Sequence, residues 1–231
     1  MSMQENLKKL AAEKALEYIE DNMTIGIGSG STVAQFIRLL SRKIKEENLN
    51  IRGVPTSIDT QIMMNLFGIP AANIFEVEKI DVSIDGADSV LIDKNLLIKG
   101  GGGAFTQEKI VDYWAEKLVI IVDETKVNRH YKIPLEIIPI ALNSVKKALK
   151  KYFPEHKFEL RLCKGKVGPC ISDNGNIIAD LHLPKLLIKK ELEGLLNSIP
   201  GIVENGIFTK KSTVLIAKSN FKVMKIELEG L

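Results

Sequence analysis

The chain is poor in aromatic residues, at 6% of its 231 positions, and carries only two cysteines, one tryptophan and three histidines. Scarce aromatics leave little material for the stacking platforms that bind single-stranded nucleic acid. An excess of one charge is missing too: 32 basic residues face 29 acidic ones, for a formal net charge of +3. That balance argues against a nucleic-acid or membrane-surface protein, while leaving room for a local basic patch that holds phosphate. No apolar run approaches the length that spans a bilayer, and the opening MSMQENLKKLAAEK is polar and amphipathic, unlike an export signal. Cys163 and Cys170, in CKGKVGPC, match neither a zinc knuckle nor a CxxC pair and are expected to be free thiols. His130, His156 and His182 are scattered without metal-ligand spacing, so no metal is expected and none of them is given a role. With no export signal and no disulfide framework, the expected compartment is the cytoplasm.

What is present is an ordinary globular balance, 45% hydrophobic and 26% charged. Leu7, Leu10, Ala11, Ala15, Tyr18 and Ile19 recur at helical spacing. TIGIG then reads as a buried strand, and Val33, Phe36, Ile37, Leu40 and Ile44 as a helix capped by Ser31 or Thr32. IRGVP is a strand, and Ile58, Ile62, Met63 and Leu66 mark a helix that Gly68 can close. NIFEV and IDVSI read as strands, VLIDKNLLIK as a hairpin, Val111 to Leu118 as a helix and LVIIVD as an apolar strand. Strands apolar on both faces, alternating with helices, imply a parallel sheet covered on both sides. Past about Tyr131 the order becomes LEIIPI (strand), ALNSVKKALKKYF (helix), KFELRL (strand), a hairpin through SDNGN, ELEGLLNSI (helix) and IVENGIFT (strand). That order resembles a ferredoxin-like α+β fold. The expected architecture is a Rossmann-like domain over residues 1–130 and 206–231, with a smaller ferredoxin-like domain over 131–205 inserted before the C-terminal strands.

Four places carry candidate chemistry. In Gly26-Ile27-Gly28-Ser29-Gly30-Ser31-Thr32 a strand runs through glycines into a helix, whose free amides and hydroxyls suit a phosphate. Serine at 31 and the lack of an acid after Gly53-Val54-Pro55 disfavour a dinucleotide site, and Val33 replaces the lysine of a nucleotide P-loop. A plain glycine turn packing helix on strand would use the same residues. Asp85-Gly86-Ala87-Asp88 ends an apolar strand at the sheet edge where ligands bind, although aspartates also serve as turn and cap residues. Lys99-Gly100-Gly101-Gly102-Gly103 is costly to order, so a structural loop would seldom use it, and its amides can approach a substrate oxygen beside the lysine charge. Glu108 falls in the first turn of the next helix, where many glutamates only complement the dipole; a base there needs a dry pocket. Lys126, just past an apolar strand, is a weaker candidate for the phosphate end.

Taken together, SGST at 29–32, DGAD at 85–88, KGGG at 99–102, Glu108 after Thr106-Gln107, and Lys126 closely resemble the type A ribose-5-phosphate isomerases. LEIIPI, SDNGN and SIPG extend the resemblance over nearly the whole chain, with Ser29 where many relatives carry threonine and Gly103 where alanine is common. The resemblance implies metal-free, cofactor-free interconversion of ribose 5-phosphate and ribulose 5-phosphate by a homodimer or homotetramer. It makes Glu108 the base, puts Lys99 and the amides of Gly100, Gly101 and Gly102 on the enediolate oxygen, and uses Asp85, Gly86, Ala87 and Asp88 at the sugar hydroxyls and ring opening. Ser29, Gly30, Ser31, Thr32 and Lys126 would hold the phosphate. A sugar-phosphate sensor would need an output module, and no helix-turn-helix precedes the first strand. An acyl or CoA transferase would use a glutamate as a nucleophile on a thioester. An isomerase of another aldose phosphate would keep the same residues.

Overall fold

The computed structural model describes residues 2–129 and 132–230. His130 and the expected domain boundary after it lie outside the described residues. In chain order the elements begin α1 (Met3–Ala15), β1 (Thr24–Ile27), α2 (Ser31–Glu47), β2 (Arg52–Pro55), α3 (Ile58–Phe67) and β3 (Val82–Asp85). There follow β4 (Ser89–Leu91), β5 (Leu96–Ile98), α4 (Phe105–Trp114), β6 (Lys117–Asp123), β7 (Ile133–Ile137), α5 (Leu142–Tyr152) and β8 (Lys157–Leu160). The chain ends with β9 (Ile177–His182), α6 (Glu191–Asn197), β10 (Ile202–Asn205), β11 (Ile207–Phe208), β12 (Ser212–Ala217) and β13 (Val223–Leu228). No helix among the described residues is long and apolar enough to cross a membrane.

Two compact units result. The first, built from residues 1–87, 107–127 and 210–230, holds a six-stranded sheet in the order β13-β12-β6-β3-β1-β2. Its strands are parallel except β13, which returns antiparallel to β12. The C-terminal strands β12 and β13 thus lie in the first sheet. Ile25, Ile27, Val82, Ile84, Val119 and Ile121 pack on one face with Ala11, Phe36, Ile37 and Leu40 of α1 and α2. On the other face, a Cβ at Gly26 would stand 2.7 Å from Val111 Cγ1, so the missing side chain lets α4 sit against the strand. Helix ends follow local rules: Ser2 and Glu5 form a reciprocal capping box on α1, and Gly68 closes α3 in the left-handed region at φ 70°. The expected cap of α2 does not form: Gly30 is the cap residue at φ 97°, and no side chain bonds the first amides.

The second unit, residues 88–106 and 128–209, contains an antiparallel sheet in the order β10-β7-β9-β8 with α5 and α6. Strand–helix–strand–strand–helix–strand in that order is the ferredoxin-like arrangement. Leu135, Ile137, Val145, Leu149, Ala179, Leu181, Leu192 and Leu196 form its core. A separate three-stranded sheet, β11-β5-β4, also belongs here, so 88–106 fall in the second unit rather than with the first domain as expected. Local expectations differ in four places, one of them Leu118, read with the helix from Val111 but lying in β6 because α4 ends at Trp114. NIFEV makes a 3-10 turn at Ile74–Glu76, with the Asn73 side chain accepting from the Phe75 amide, instead of a strand. LEIIPI contributes only its start to β7, because Pro139 opens a 3-10 turn. IVENGIFT splits into β10 and β11, in different sheets, around Gly206, whose Cβ would lie 2.4 Å from the Lys99 carbonyl oxygen.

The cysteines also differ from expectation: Cys163 and Cys170 are disulfide-bonded across a hairpin in which the Cys170 amide donates to the Arg161 carbonyl at 2.7 Å. Closing so short a loop restricts the unfolded chain by about 2 kcal/mol. Urea unfolding with reductant present should therefore occur at a lower midpoint than without it; coincident curves would mean that the bridge contributes nothing.

Candidate active site

In the first unit the candidate residues gather at the carboxyl ends of neighbouring strands. β1 and β3 pair in parallel, and the Gly28 amide extends that pairing to the Ile84 carbonyl at 3.0 Å. Asp85, the last residue of β3, is fully buried, and its Oδ1 accepts from the amides of Ser29 (3.1 Å) and Gly86 (2.6 Å). A Cβ at position 28 would overlap that carboxylate, 1.9 Å from Oδ1. Glycine is therefore required at 28 by close approach rather than by backbone angle.

The turn after β1 is held by hydroxyls. Ser29 Oγ lies 2.8 Å from Ser57 Oγ, 3.0 Å from Thr56 Oγ1 and 3.2 Å from Thr60 Oγ1, and Thr60 donates to the Gly28 carbonyl at 2.7 Å. Thr56, Ser57 and Thr60 were not singled out from the sequence; the signal was a run of small hydroxyl residues just past a strand of the parallel sheet. Beyond the cluster, Ser31 is exposed and Thr32 half-buried in the first turn of α2. The early amides of a helix have no intrahelical acceptor and carry the positive end of its dipole, which favours an anion. Lys8 of α1 reaches this turn, its Nζ donating to Ser31 Oγ at 2.9 Å. Sequence reading had no means to separate Lys8 from Lys9, which pairs with Glu13 on its own helix. Lys126 is half-buried in a 3-10 turn directly after β6, in the same unit. Glu108, in the first turn of α4, is 6% exposed and so withdrawn from bulk water.

The second unit holds Asp88 and the glycine loop. Lys99 is 2% exposed, with its ammonium 5.3 Å from the centre of the Phe208 ring, and its amide donates to the Gly206 carbonyl at 2.8 Å. The Gly101 amide donates to Asp88 Oδ2 at 2.6 Å. Gly100 lies at φ 98°, where a Cβ would also strike the Phe105 ring at 2.6 Å; a Cβ at Gly101 would meet Asp88 Oδ1 at 2.5 Å. Where the loop enters α4, Thr106 Oγ1 donates to buried Glu136 Oε2 at 2.5 Å. Ser172 Oγ (2.8 Å), Asn176 Nδ2 (2.7 Å) and Asn174 Nδ2 (3.1 Å) converge on the same carboxylate at Oε1. That gives SDNGN a physical task, since a buried carboxylate is stable only when its lone pairs are met. Among the described residues no group of three or more His, Cys, Asp or Glu could hold a metal ion.

The parallel sheet with helices on both faces makes this an α/β protein, whose first unit carries a helix start and a buried carboxylate at the carboxyl edge of that sheet. The family model for ribose 5-phosphate isomerase A (phosphoriboisomerase A) matches residues 52–220. A ribose-5-phosphate isomerase A of Methanococcus aeolicus is 45% identical over 214 residues, covering 91% of this chain and 90% of its own, and one of Pyrococcus horikoshii is 42% identical over 229 residues, covering 96% and 98%. Among solved structures, ribose 5-phosphate isomerase A of Methanocaldococcus jannaschii superposes with a TM-score of 0.92 at 41% identity, covering 97% of this chain and 99% of that one. A D-ribose-5-phosphate isomerase in complex with phospho-erythronic acid gives a TM-score of 0.91 at 40% identity, covering 98% and 100%. The chain belongs to the ribose 5-phosphate isomerase A family.

Gly28→Ala isolates the close approach at Asp85. It should destabilise the fold by about 1–3 kcal/mol through overpacking and displace the carboxylate, measured by denaturant unfolding alongside the turnover rate. Wild-type stability with wild-type turnover would mean that the contact is dispensable.

Proposed function

We propose that this chain is an aldose–ketose isomerase that interconverts D-ribose 5-phosphate and D-ribulose 5-phosphate through an enediolate, a step of the non-oxidative pentose phosphate pathway. Family membership, with likeness to its members over nearly the full chain, carries the reading, and a phosphorylated sugar acid bound to a solved relative supports it. In this reading Glu108 takes the proton from C2, the C2 electrons form the C1–C2 double bond, and the C1 carbonyl oxygen becomes the oxyanion. Lys99 and the amides of Gly100, Gly101 and Gly102 hold that oxygen; a lysine charge out of water acts more strongly than a solvated one. The C2 hydroxyl proton passes to the C1 oxygen, the C2 oxygen forms the ketone, and the electrons of the C1–C2 double bond take the proton back from Glu108 at C1. Asp85 and Asp88, with Gly86 and Ala87 between them, orient the sugar hydroxyls and assist opening of the ring.

The phosphate sits at Ser29, Gly30, Ser31 and Thr32 with Lys126, and the hydrogen bond from Lys8 to Ser31 adds Lys8 to that group. Phosphate anchoring at a distance from the reacting carbons lowers the entropic part of the barrier. We further propose that the protein works as a homodimer or homotetramer. Ile58, Ile62 and Leu66 leave an exposed apolar stripe at four-residue spacing on α3, a face suited to burial against a second copy.

The chelator-treated protein should convert ribose 5-phosphate to the ketose without added metal or nucleotide. Glu108→Gln should lower turnover by about two to four orders of magnitude with little change in KM. Lys8→Ala should instead raise KM by about tenfold or more, the loss of one charged hydrogen bond, and leave turnover at saturation nearly intact. Near-normal turnover in Glu108→Gln would assign the base elsewhere, with Asp85 the next candidate.

A further inference from the structure

Arg161 lies one residue past β8, with its amide on the Ile178 carbonyl at 3.0 Å. Its side chain is 12% exposed and forms a two-pronged pair with Asp180 of β9: Nε donates to Oδ2 at 3.1 Å and Nη2 to Oδ1. Lys132 Nζ adds a contact to Asp180 Oδ2 at 2.6 Å. Burial alone would raise the Asp180 carboxyl, but hydrogen bonds from Arg161 and Lys132 and their charges hold it below the ordinary aspartate value. The pair is therefore ionised at neutral pH and keeps the guanidinium plane in place.

With two nitrogens committed to Asp180, the third points at backbone. Arg161 Nη1 donates to the Gly100 carbonyl at 2.7 Å and the Gly101 carbonyl at 3.1 Å. A trans peptide carries its C=O and N–H on opposite edges of one plane. Drawing the Gly100 oxygen toward Arg161 must therefore turn the Gly101 N–H the other way, and that N–H is found on Asp88 Oδ2. Drawing the Gly101 oxygen toward Arg161 likewise turns the Gly102 N–H away from the guanidinium. Consecutive glycines have no Cβ to restrict such peptide rotations, and Gly101 and Gly102 are exposed, so packing does not fix them.

We propose that Arg161 is a positioning residue for the isomerisation: clamped by Asp180, it sets the peptide planes of Gly100 and Gly101 so that the Gly101 amide holds Asp88 and the Gly102 amide is aimed before the oxyanion forms. This rests on the isomerase reading above, in which Asp88 orients the sugar hydroxyls and the Gly102 amide meets the enediolate. Arg161 itself does not touch substrate; it acts through the loop. Donors that must reorganise during the reaction lose much of their value, and a misplacement of about 1 Å can cost about a hundredfold in rate. In that reading substrate affinity comes chiefly from the phosphate group rather than from the oxyanion donors, so the loss should fall on kcat.

The test compares wild type, Arg161→Lys and Arg161→Ala on ribose 5-phosphate, with folding of each checked by circular dichroism. Lysine keeps the charge opposite Asp180 but cannot serve the carboxylate and two carbonyls at once. Both variants should show kcat reduced by roughly ten- to a hundredfold with KM changed by less than about threefold, and millimolar guanidinium should restore part of the kcat of Arg161→Ala but not of wild type. If Arg161→Ala does not fold, the kcat and KM of Arg161→Lys decide the matter. Folded variants with normal kcat, or with raised KM at unchanged kcat, would overturn the proposal while leaving the isomerase reading intact. A wild-type protein inactive on ribose 5-phosphate would overturn both.

Discussion

The carboxylate of Asp85 occupies the space that any side chain at position 28 would need. Because residue 28 is glycine, the end of β3 closes onto the end of β1, and one oxygen receives the amides of Ser29 and Gly86 together. This single approach joins the start of the turn after β1 to the start of DGAD. It also fixes where the chain leaves β1 and hence where α2 begins, with Gly30 at an angle that only glycine adopts easily. The hydroxyl cluster of Ser29, Thr56, Ser57 and Thr60 then supports the turn from the end of β2. Ser29 thus serves the architecture of the turn, while Ser31 and Lys8 lie at its outer side.

The second unit solves a different problem, the ordering of a loop whose sequence has almost no conformational preference. Its two ends are held by buried charged groups that are themselves fully engaged. At the start, Arg161, held by Asp180, grips the carbonyls of Gly100 and Gly101; at the far end, Glu136 grips Thr106 with help from Ser172, Asn174 and Asn176. Such networks are worth having only when every member is satisfied, because a partly met buried charge is costly. The ferredoxin-like sheet supplies Asp180 and Glu136 from β9 and β7, which makes it a scaffold for the loop as much as a fold of its own.

Much of this was legible in the sequence where a residue's role depends on near neighbours. Apolar periodicity marked the helices and the parallel strands, Gly68 marked the end of α3, and glycine-rich turns after strands marked the candidate site. What stayed hidden depended on partners distant in the chain. Lys8 differs from Lys9 only in meeting Ser31, 23 positions away, and Arg161 and Glu136 acquire meaning only from the backbone and side chains folded against them. The misread NIFEV shows apolar residues in a segment too short to distinguish strand from turn, where Asn73 decides the outcome. IVENGIFT read as one strand because its break at Gly206 is set by the Lys99 carbonyl, not by its own composition. The Cys163–Cys170 pairing has no spacing signature at all; it follows from the hairpin that brings Arg161 and Cys170 together.

The chemistry assigned to these elements is transfer of a proton through a carboxylate, with the negative charge parked on an oxygen between. Following ribose 5-phosphate in heavy water by proton NMR, over many reversible turnovers, tests it most directly. A carboxylate base exchanges its proton with solvent, so deuterium should accumulate at C1 of the ribulose 5-phosphate and at C2 of the recovered aldose. Sustained turnover in which the original hydrogen moves entirely from C2 to C1, with no uptake of deuterium at either carbon, would instead indicate a hydride shift and contradict the enediolate.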